Sequence, residues 1–467
     1  MKKTIPFLFI LAAFQLVTGN ANSQTNYYGT SGNMVAGDFD NDGNADDIAA
    51  FNTSSELPIL TLWTSKNGFI NETVAKCSLP FDFLSPASLN SKIVAGDFDN
   101  DGFIDDIASI YEIGDDKTAL TVWINQKGEF TPTRWWYGSD FNANKVAQTI
   151  VVGDFDNDGF VDDIAAFYDY DQAKTNLFVW KSDGKKFDWP GTWWVGNDFN
   201  AARIQGSVVV GDFDHDGVKN DIAALYNYAD DYCKIFVWIP KNNKFNWPYT
   251  WFAQDKFAAG KAKNNIIAGD FNNNGYVDNI AALYGSDENT SSILVFEKGK
   301  NGFDAPSTWW YGNDEASTTH MRLVAADVNN NSKHDQITGL SISGADVVLA
   351  TWTALNRSFT LPENSWNGVA LSREDCEKDG GCLPKNIIDN FKLYPNPNKG
   401  AFNVEIPKSV ESRVDVTLYN VLGIQVMKLQ AESGQNLPIQ MDNFKTGTYL
   451  LQITGKDFSV NKNFIVE

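Results

Sequence analysis

Ile150-Val151-Val152-Gly153-Asp154-Phe155-Asp156-Asn157-Asp158-Gly159-Phe160-Val161-Asp162-Asp163-Ile164-Ala165-Ala166 is the stretch on which the fold turns. A short apolar run stops at a glycine, an Asp-rich turn follows, and a second apolar run begins, which reads as strand, tight turn, strand. The segment recurs with its first Asp at Asp38, Asp97, Asp154 and Asp212, and in weakened form at Asp270 and Asp327, at spacings of 59, 57, 58, 58 and 57 residues. A second marker keeps the period: the aromatic pairs Trp135-Trp136, Trp193-Trp194, Trp251-Phe252 and Trp309-Trp310 lie 58 residues apart. Within the third copy, residues 164–168, 177–180 and 187–194 are further apolar runs between polar turns, with no helical period. Four short strands in each of six repeats predict an all-β chain: a six-bladed β-propeller with four-stranded blades. Residues 24–371 supply 348 positions, six periods of 58. Tyr27-Tyr28-Gly29 echoes Trp136-Tyr137-Gly138, the end of a blade, and predicts an N-terminal strand that completes the last blade. A linear solenoid of the same units is the alternative.

The acidic turn has the spacing of a metal loop. Asp38, Asp40, Asp42 and Asp46 hold positions 1, 3, 5 and 9, Gly43 allows the sharp bend, and the carbonyl of Asn44 is a fifth ligand. The second loop offers Asp97, Asp99, Asp101, Asp105 and the carbonyl of Phe103; the third offers Asp154, Asp156, Asp158, Asp162 and that of Phe160. Oxygen-only ligands in a flexible loop suit Ca²⁺, whereas magnesium demands a tighter octahedron and softer metals want His or Cys. Later copies thin out. The fourth has Asp212, Asp214, Asp216, the carbonyl of Val218 and Asn220; the fifth has Asp270, Asn272, Asn274 and Asp278; the sixth has Asp327, Asn329, Asn331 and Asp335, with Ser332 replacing the glycine. Affinity is expected to fall in that order. The loop followed by D-I-A-A resembles the FG-GAP/VCBS repeats of integrin-type propellers over about residues 27–366. That resemblance implies a calcium loop joining the two inner strands of each blade. The W-W-x-G and F-V-W elements are similar to those of bacterial propeller lectins.

The chain carries 37 basic and 59 acidic residues, a net charge of −22 that opposes a nucleic-acid partner. Most of that imbalance sits in the acidic loops. Residues 1–23 read as a signal peptide: Lys2 and Lys3, an apolar run over residues 5–17 too short to span a bilayer, then Ala21-Asn22-Ser23 at the cleavage site. No later segment predicts a membrane span. Residues 372–388 form a polar linker in which Cys376 and Cys382 flank a short Gly-rich loop and are expected to pair; Cys77 and Cys233 lie in different repeats. From residue 389 the period is gone. Alternating apolar residues Phe402, Val404 and Ile406, then Val414, Val416 and Leu418, predict a small C-terminal β-sandwich over 389–467. Its Y-P-N-P-x-x-G, Y-N-x-L-G and G-x-Y-L-L elements resemble the type A sorting domain of the Bacteroidetes type IX secretion system. This implies passage across both membranes by that machinery, and a secreted or surface-held product.

For function, the repeated aromatics point to a lectin or adhesin that binds a glycan or polysaccharide at several sites. Adjacent strand residues face opposite ways, so one of each pair (Trp135 or Trp136, Trp193 or Trp194, Trp309 or Trp310, with Trp251) is expected to reach solvent and stack on sugar. Tyr168 and Tyr226 are candidate polar partners. The alternative for these indoles is blade-to-blade core. A polysaccharide lyase or hydrolase is the rival function, but no nucleophile elbow, zinc motif or nucleotide loop is present, and His320 with Arg322 is the one asymmetric pair. A protein-binding adhesin is the third reading.

Overall fold

The computed structural model describes residues 34–369 and 391–467, apart from 53–58, 67–68, 78–88, 90–91, 115–116, 147, 229–231, 256, 263–265, 288–289, 314–321, 329–334, 344–345, 409, 411–412, 421–424, 441–444 and 456–458. Among these the structure is β throughout, with no α-helix; short 3-10 turns stand at Ala143–Val146, Ala201–Arg203 and Ala259–Ala262.

Each repeat folds into its own antiparallel sheet. In the third unit Val151–Gly153, Asp163–Asp169, Thr175–Trp180 and Gly191–Gly196 pair in chain order. The first, fourth, fifth and sixth units have the same four-strand order, and the second adds Lys76–Cys77 as a parallel edge beside Glu129–Gly138. The sixth sheet takes its four strands from Arg322–Ala326 to Glu363–Val369. The N-terminal strand expected to complete it lies outside the described residues.

The first strands of successive units lie side by side, and that of the sixth lies beside that of the first. A cavity of 290 Å³ runs among them, lined by small apolar side chains such as Val35, Val94, Val152, Val210, Ile267 and Val324. One hydrogen bond repeats around this centre. The N–H of loop position 1 donates to the position-8 carbonyl of the next unit: Asp38 to Ile104, Asp97 to Val161, Asp154 to Lys219 and Asp212 to Val277, at 2.9–3.2 Å. Asp327 donates likewise to Ala45 of the first unit at 3.3 Å. Here the glycine before the Asp has its reason. A Cβ on Gly96 would meet the Val161 carbonyl oxygen at 2.7 Å, and one on Gly37 the Ile104 oxygen at 2.2 Å.

The hydrophobic core is divided among the junctions. Phe167, Leu177, Trp193 and Trp194 of the third unit share a cluster with Ile222, Ala224 and Trp238 of the fourth. Met34, Ile48 and Trp63 of the first unit pack with Val324, Leu340 and Leu349 of the sixth. A linear stack would leave both those end faces open.

The C-terminal region is separate in its core. Lys392–Tyr394, Ala401–Glu405 and Asn436–Gln440 form one sheet; Gln425–Ala431, Val414–Tyr419, Gly447–Thr454 and Ser459–Val466 form another. Phe402 and Val404 of the first meet Val416, Leu418, Ile453 and Phe464 of the second in one cluster. Cys233 is a free, buried thiol, and Cys376 and Cys382 lie outside the described residues.

Candidate functional site

The acidic loops are built the same way five times. The position-1 carboxylate accepts from the N–H groups of positions 5 and 6: Asp38 from Asp42 and Gly43 (3.0 and 2.9 Å), Asp97 from Asp101 and Gly102, Asp154 from Asp158 and Gly159, Asp212 from Asp216 and Gly217, Asp270 from Asn274 and Gly275. This winds the turn and sends position 4 to positive φ: 57° at Asn41, 61° at Asn100, 60° at Asn157 and Asn273, and 63° at His215. Carboxylate oxygens of positions 1, 3 and 5 then come within 4.8 Å of one another in loops one to three, as Asp38/Asp40/Asp42, Asp97/Asp99/Asp101 and Asp154/Asp156/Asp158. The fourth loop differs: Asp212 and Asp214 converge with Asp221 instead of Asp216. In the fifth loop Asn272 and Asn274 break the set, and positions 3 and 5 of the sixth lie outside the described residues.

Position 9 stands next to the oxygens of positions 3 and 5. Asp46, Asp105 and Asp162 are buried beside these triads but are not members of them. Two position-9 carboxylates, Asp105 and Asp278, also meet the loop of the preceding unit, and Asp278 accepts from Asn274 of its own loop as well. Asn41 donates from Nδ2 to Asp105 Oδ2 at 2.8 Å, and His215 Nε2 lies 2.7 Å from Asp278 Oδ2 with its ring stacked on Tyr276. The Val218 carbonyl, expected as a ligand, accepts from Asn220 N–H at 3.0 Å. Position 10 was not among the expected ligands: Asp47, Asp106, Asp163 and Asp221 are fully buried, and Asp221 alone of the four joins a converging carboxylate set. Asp106 accepts from Asp99 N–H (3.2 Å) and Asn125 N–H (2.8 Å), tying the loop to the third strand.

Electrostatics set this arrangement against itself. Burial, reinforced by neighbouring carboxylates, pushes Asp46, Asp105 and Asp162 up to about 7. Burial raises Asp47, Asp106, Asp163 and Asp221 to about 8. One carboxylate oxygen each of Asp46, Asp156 and Asp278 is buried with no donor. Crowded oxygens with unmet acceptor capacity and no soft ligand fit a hard divalent cation. In the third loop Lys181 Nζ, 3.2 Å from Asp156 Oδ2, supplies part of the missing positive charge.

The aromatic pairs correct the sequence reading. Trp135, Trp136, Trp193 and Trp194 are all buried, Trp309 is buried, Trp251 and Trp310 are half-buried, and Tyr168 and Tyr226 are buried. No pair splits between core and solvent as alternation predicts. The cause is a β-bulge. Register runs Leu177↔Trp194 and then Phe178↔Thr192, so Trp193 has no cross-strand partner; Trp135, Trp251 and Trp309 stand in the same place. Two residues facing one interrupt the pleat, and both indoles turn to the next unit. Trp193 meets Phe245 at 5.6 Å, and Trp194 meets Trp238 at 5.6 Å. The second indole also lies over the glycine two residues on: a Cβ on Gly196 would strike the Trp194 ring at 2.3 Å.

The exposed aromatics are others. Trp189 is 67% exposed and Trp247 57%, 58 residues apart, each between a buried Phe (Phe187, Phe245) and a Pro. Trp189 leans on Trp136 of the preceding unit at 5.4 Å and Trp247 on Trp194 at 5.6 Å. Both precede the last strand of their sheets, on the same end of the blade as the acidic loops, and Tyr249 beside Trp247 is also exposed. Their period was visible in D-W-P and N-W-P, but the louder W-W pair masked it. His320 lies outside the described residues, as does the side chain of Arg322.

Residues 392–467 match the family model described as a secretion system C-terminal sorting domain. No curated protein matches the chain. Among solved structures the chain is similar to AofleA from Arthrobotrys oligospora, at 10% identity and a TM-score of 0.43, covering 74% of this chain and 88% of that one. It is also similar to a rhamnogalacturonan lyase of Bacillus licheniformis (13% identity, TM-score 0.33, 69% and 61% covered). A third likeness is to the β-propeller domain of the Trilobed protease from Pyrococcus furiosus (7% identity, TM-score 0.30, 86% and 97% covered). No described helix is long and apolar enough to cross a membrane. The tail is a type IX sorting domain, and the protein is exported, to the cell surface or beyond it.

Proposed function

We propose that the chain is an exported six-bladed propeller, stiffened by calcium in its acidic loops, that binds carbohydrate at the blade junctions. The observation that carries the binding reading is the pair Trp189 and Trp247. Each is a large, mostly exposed indole braced by a buried indole of the neighbouring unit. Exposing an indole forfeits roughly 1.5–3 kcal/mol of burial for a large apolar side chain, so its recurrence at one position favours a use for the open face. A braced ring loses little freedom when the carbon–hydrogen face of a pyranose stacks on it. The sugar hydroxyls then find Tyr249, Asp188 and Lys244 nearby in sequence. Two like platforms on consecutive units give avidity from weak sites.

Calcium is the natural occupant of the first three loops. Three carboxylates within 4.8 Å, with buried oxygens lacking donors, are destabilising when ionised and bare, and a dication removes that cost. The test of the binding reading is a glycan array followed by affinity electrophoresis of the full chain and of Trp189→Ala and Trp247→Ala. Each substitution should weaken retardation severalfold and the pair should weaken it further. Unchanged binding in the double variant would place the sugar elsewhere.

A further inference from the structure

The channel at the centre of the ring is apolar with one exception. Of the described residues that line it, only Lys219 carries a charge; the rest are Val, Ile, Leu, Met and Ala. Lys219 holds position 8 of the fourth acidic loop, where the first, second, third and fifth loops carry Ala45, Ile104, Val161 and Val277. All five line the channel. The sixth member of the series, His334, lies outside the described residues. The junction itself does not call for a lysine. Its carbonyl accepts from Asp154 N–H at 3.2 Å, as those of Ile104, Val161 and Val277 accept from Asp38, Asp97 and Asp212. An apolar side chain serves that bond equally well at the other three.

Among the described residues the Lys219 ammonium has no ion pair and no hydrogen-bond acceptor. The carboxylates closest to it through the backbone are turned to their own loops: Asp154 accepts from Asp158 and Gly159, and Asp221 from Asp214. The side chain is half-buried, and no neighbouring carboxylate offsets that burial. A cation set against apolar walls is costly until an anion meets it. The walls make a second demand. At 290 Å³ the channel has roughly twice the volume of an engineered ~150 Å³ apolar cavity that stays dry and takes up benzene. An inorganic anion would satisfy the amine and leave the walls wet, and a neutral hydrocarbon would do the reverse. A ligand with an apolar body and one anionic group meets both demands.

We infer that the channel is a binding site for a small apolar carboxylate, an aliphatic or aromatic acid whose body lies among the Val, Ile and Ala side chains and whose carboxylate pairs with Lys219. Position 8 adjoins the acidic loops, so the carboxylate points to that end and the body toward the other. The site is separate from Trp189 and Trp247, which precede the outermost strands of their sheets.

The test is isothermal titration calorimetry of the full chain with octanoate, 2-naphthoate, octan-1-ol and acetate. At least one of the two apolar acids should bind at one per chain, with octan-1-ol and acetate at least tenfold weaker. Lys219→Met installs an apolar side chain like those of the other loops and should lower the affinity for the acid at least tenfold, while Lys219→Arg should keep most of it. Without ligand, Lys219→Met should melt no lower than the parent, because it removes an unpaired charge. Ala268→Leu narrows the channel and should weaken the acid while leaving Lys219 in place. Trp189→Ala with Trp247→Ala should leave the acid bound as before. Absence of one-to-one binding by both acids overturns the inference, as does a folded Lys219→Met variant that binds unchanged. If that variant does not fold, the probes decide: acetate or octan-1-ol binding as tightly as octanoate overturns it as well.

Discussion

Trp194 and Trp247 are in contact at 5.6 Å, yet the structure assigns them opposite tasks. Trp194 is buried among Trp238, Phe199 and Phe167, and Trp194→Ala should cost about 3–5 kcal/mol of stability, the range for deleting a packed aromatic ring. Trp247→Ala removes a ring that is 57% exposed, so its melt should shift by no more than a few degrees while glycan affinity falls. Thermal melts of the two variants, run beside binding assays, check this; equal destabilisation would return Trp247 to the core. What the sequence told at this scale was uneven. The period of the W-W pairs marked their importance, and Gly138 and Gly196 two residues on were part of the same signal, because the second indole lies against them. Which way the indoles face was not legible. Strand alternation predicts opposite faces, and the single-residue bulge that cancels it leaves no mark in hydrophobic pattern.

The acidic loop is the element that couples one blade to the next, and its glycine shows how tightly. Gly96→Ala would press a Cβ to 2.7 Å from the Val161 carbonyl oxygen and 2.9 Å from the Phe98 ring. The expected cost is roughly 1–3 kcal/mol, as for overpacking elsewhere, read as a lowered denaturation midpoint. The sixth unit already carries Ala326 there, and its Asp327 N–H reaches Ala45 at 3.3 Å, against 2.9 Å for Asp38 to Ile104. The loops also fix a pH dependence. Asp106 and Asp163 rise from 3.8 to about 8 and Asp105 and Asp162 to about 7, so the fold without metal holds protons that the unfolded chain releases. Metal-free stability should therefore be greatest near pH 4 and fall steadily toward pH 8, over the window these shifts define. Calcium demands ionised ligands and should act in the opposite sense, with its stabilisation growing as pH rises. Melts at several pH values, with chelator and with excess calcium, should diverge toward high pH; parallel curves would remove the metal from the loops. The D-x-D-x-D-G spacing was enough to bring out the clustered carboxylates of positions 1, 3 and 5 in the first three loops. It could not show that position 9 also meets the neighbouring loop, as Asp105 meets Asn41, because that partner lies in the preceding repeat.

At the scale of the whole molecule, the repeat region and the tail each bury their own apolar residues. The cluster formed by Phe402, Val404, Val416, Leu418, Ile453 and Phe464 contains no residue of the repeats, and the junction clusters contain none of the tail. Removing residues 392–467 should therefore leave the repeat region folded, with its melting temperature close to that of the full chain. Its destination should change completely. The sorting domain is the signal for type IX export, so the truncated chain should accumulate in the periplasm while the full chain reaches the surface or the medium. The measurement is cell fractionation with a melt of the purified truncated protein. The melt separates the two ways of being retained, since a misfolded chain and an unaddressed one both stay inside. A folded, truncated protein found outside the cell in normal yield would show that the tail is not what directs export. The calcium proposed for the loops gives the comparison a further edge. The acidic loops lie wholly in the repeats, so chelator should lower the melting temperature of both proteins by the same amount. A chelator effect confined to the full chain would mean that the metal acts through the tail and not in the ring of loops.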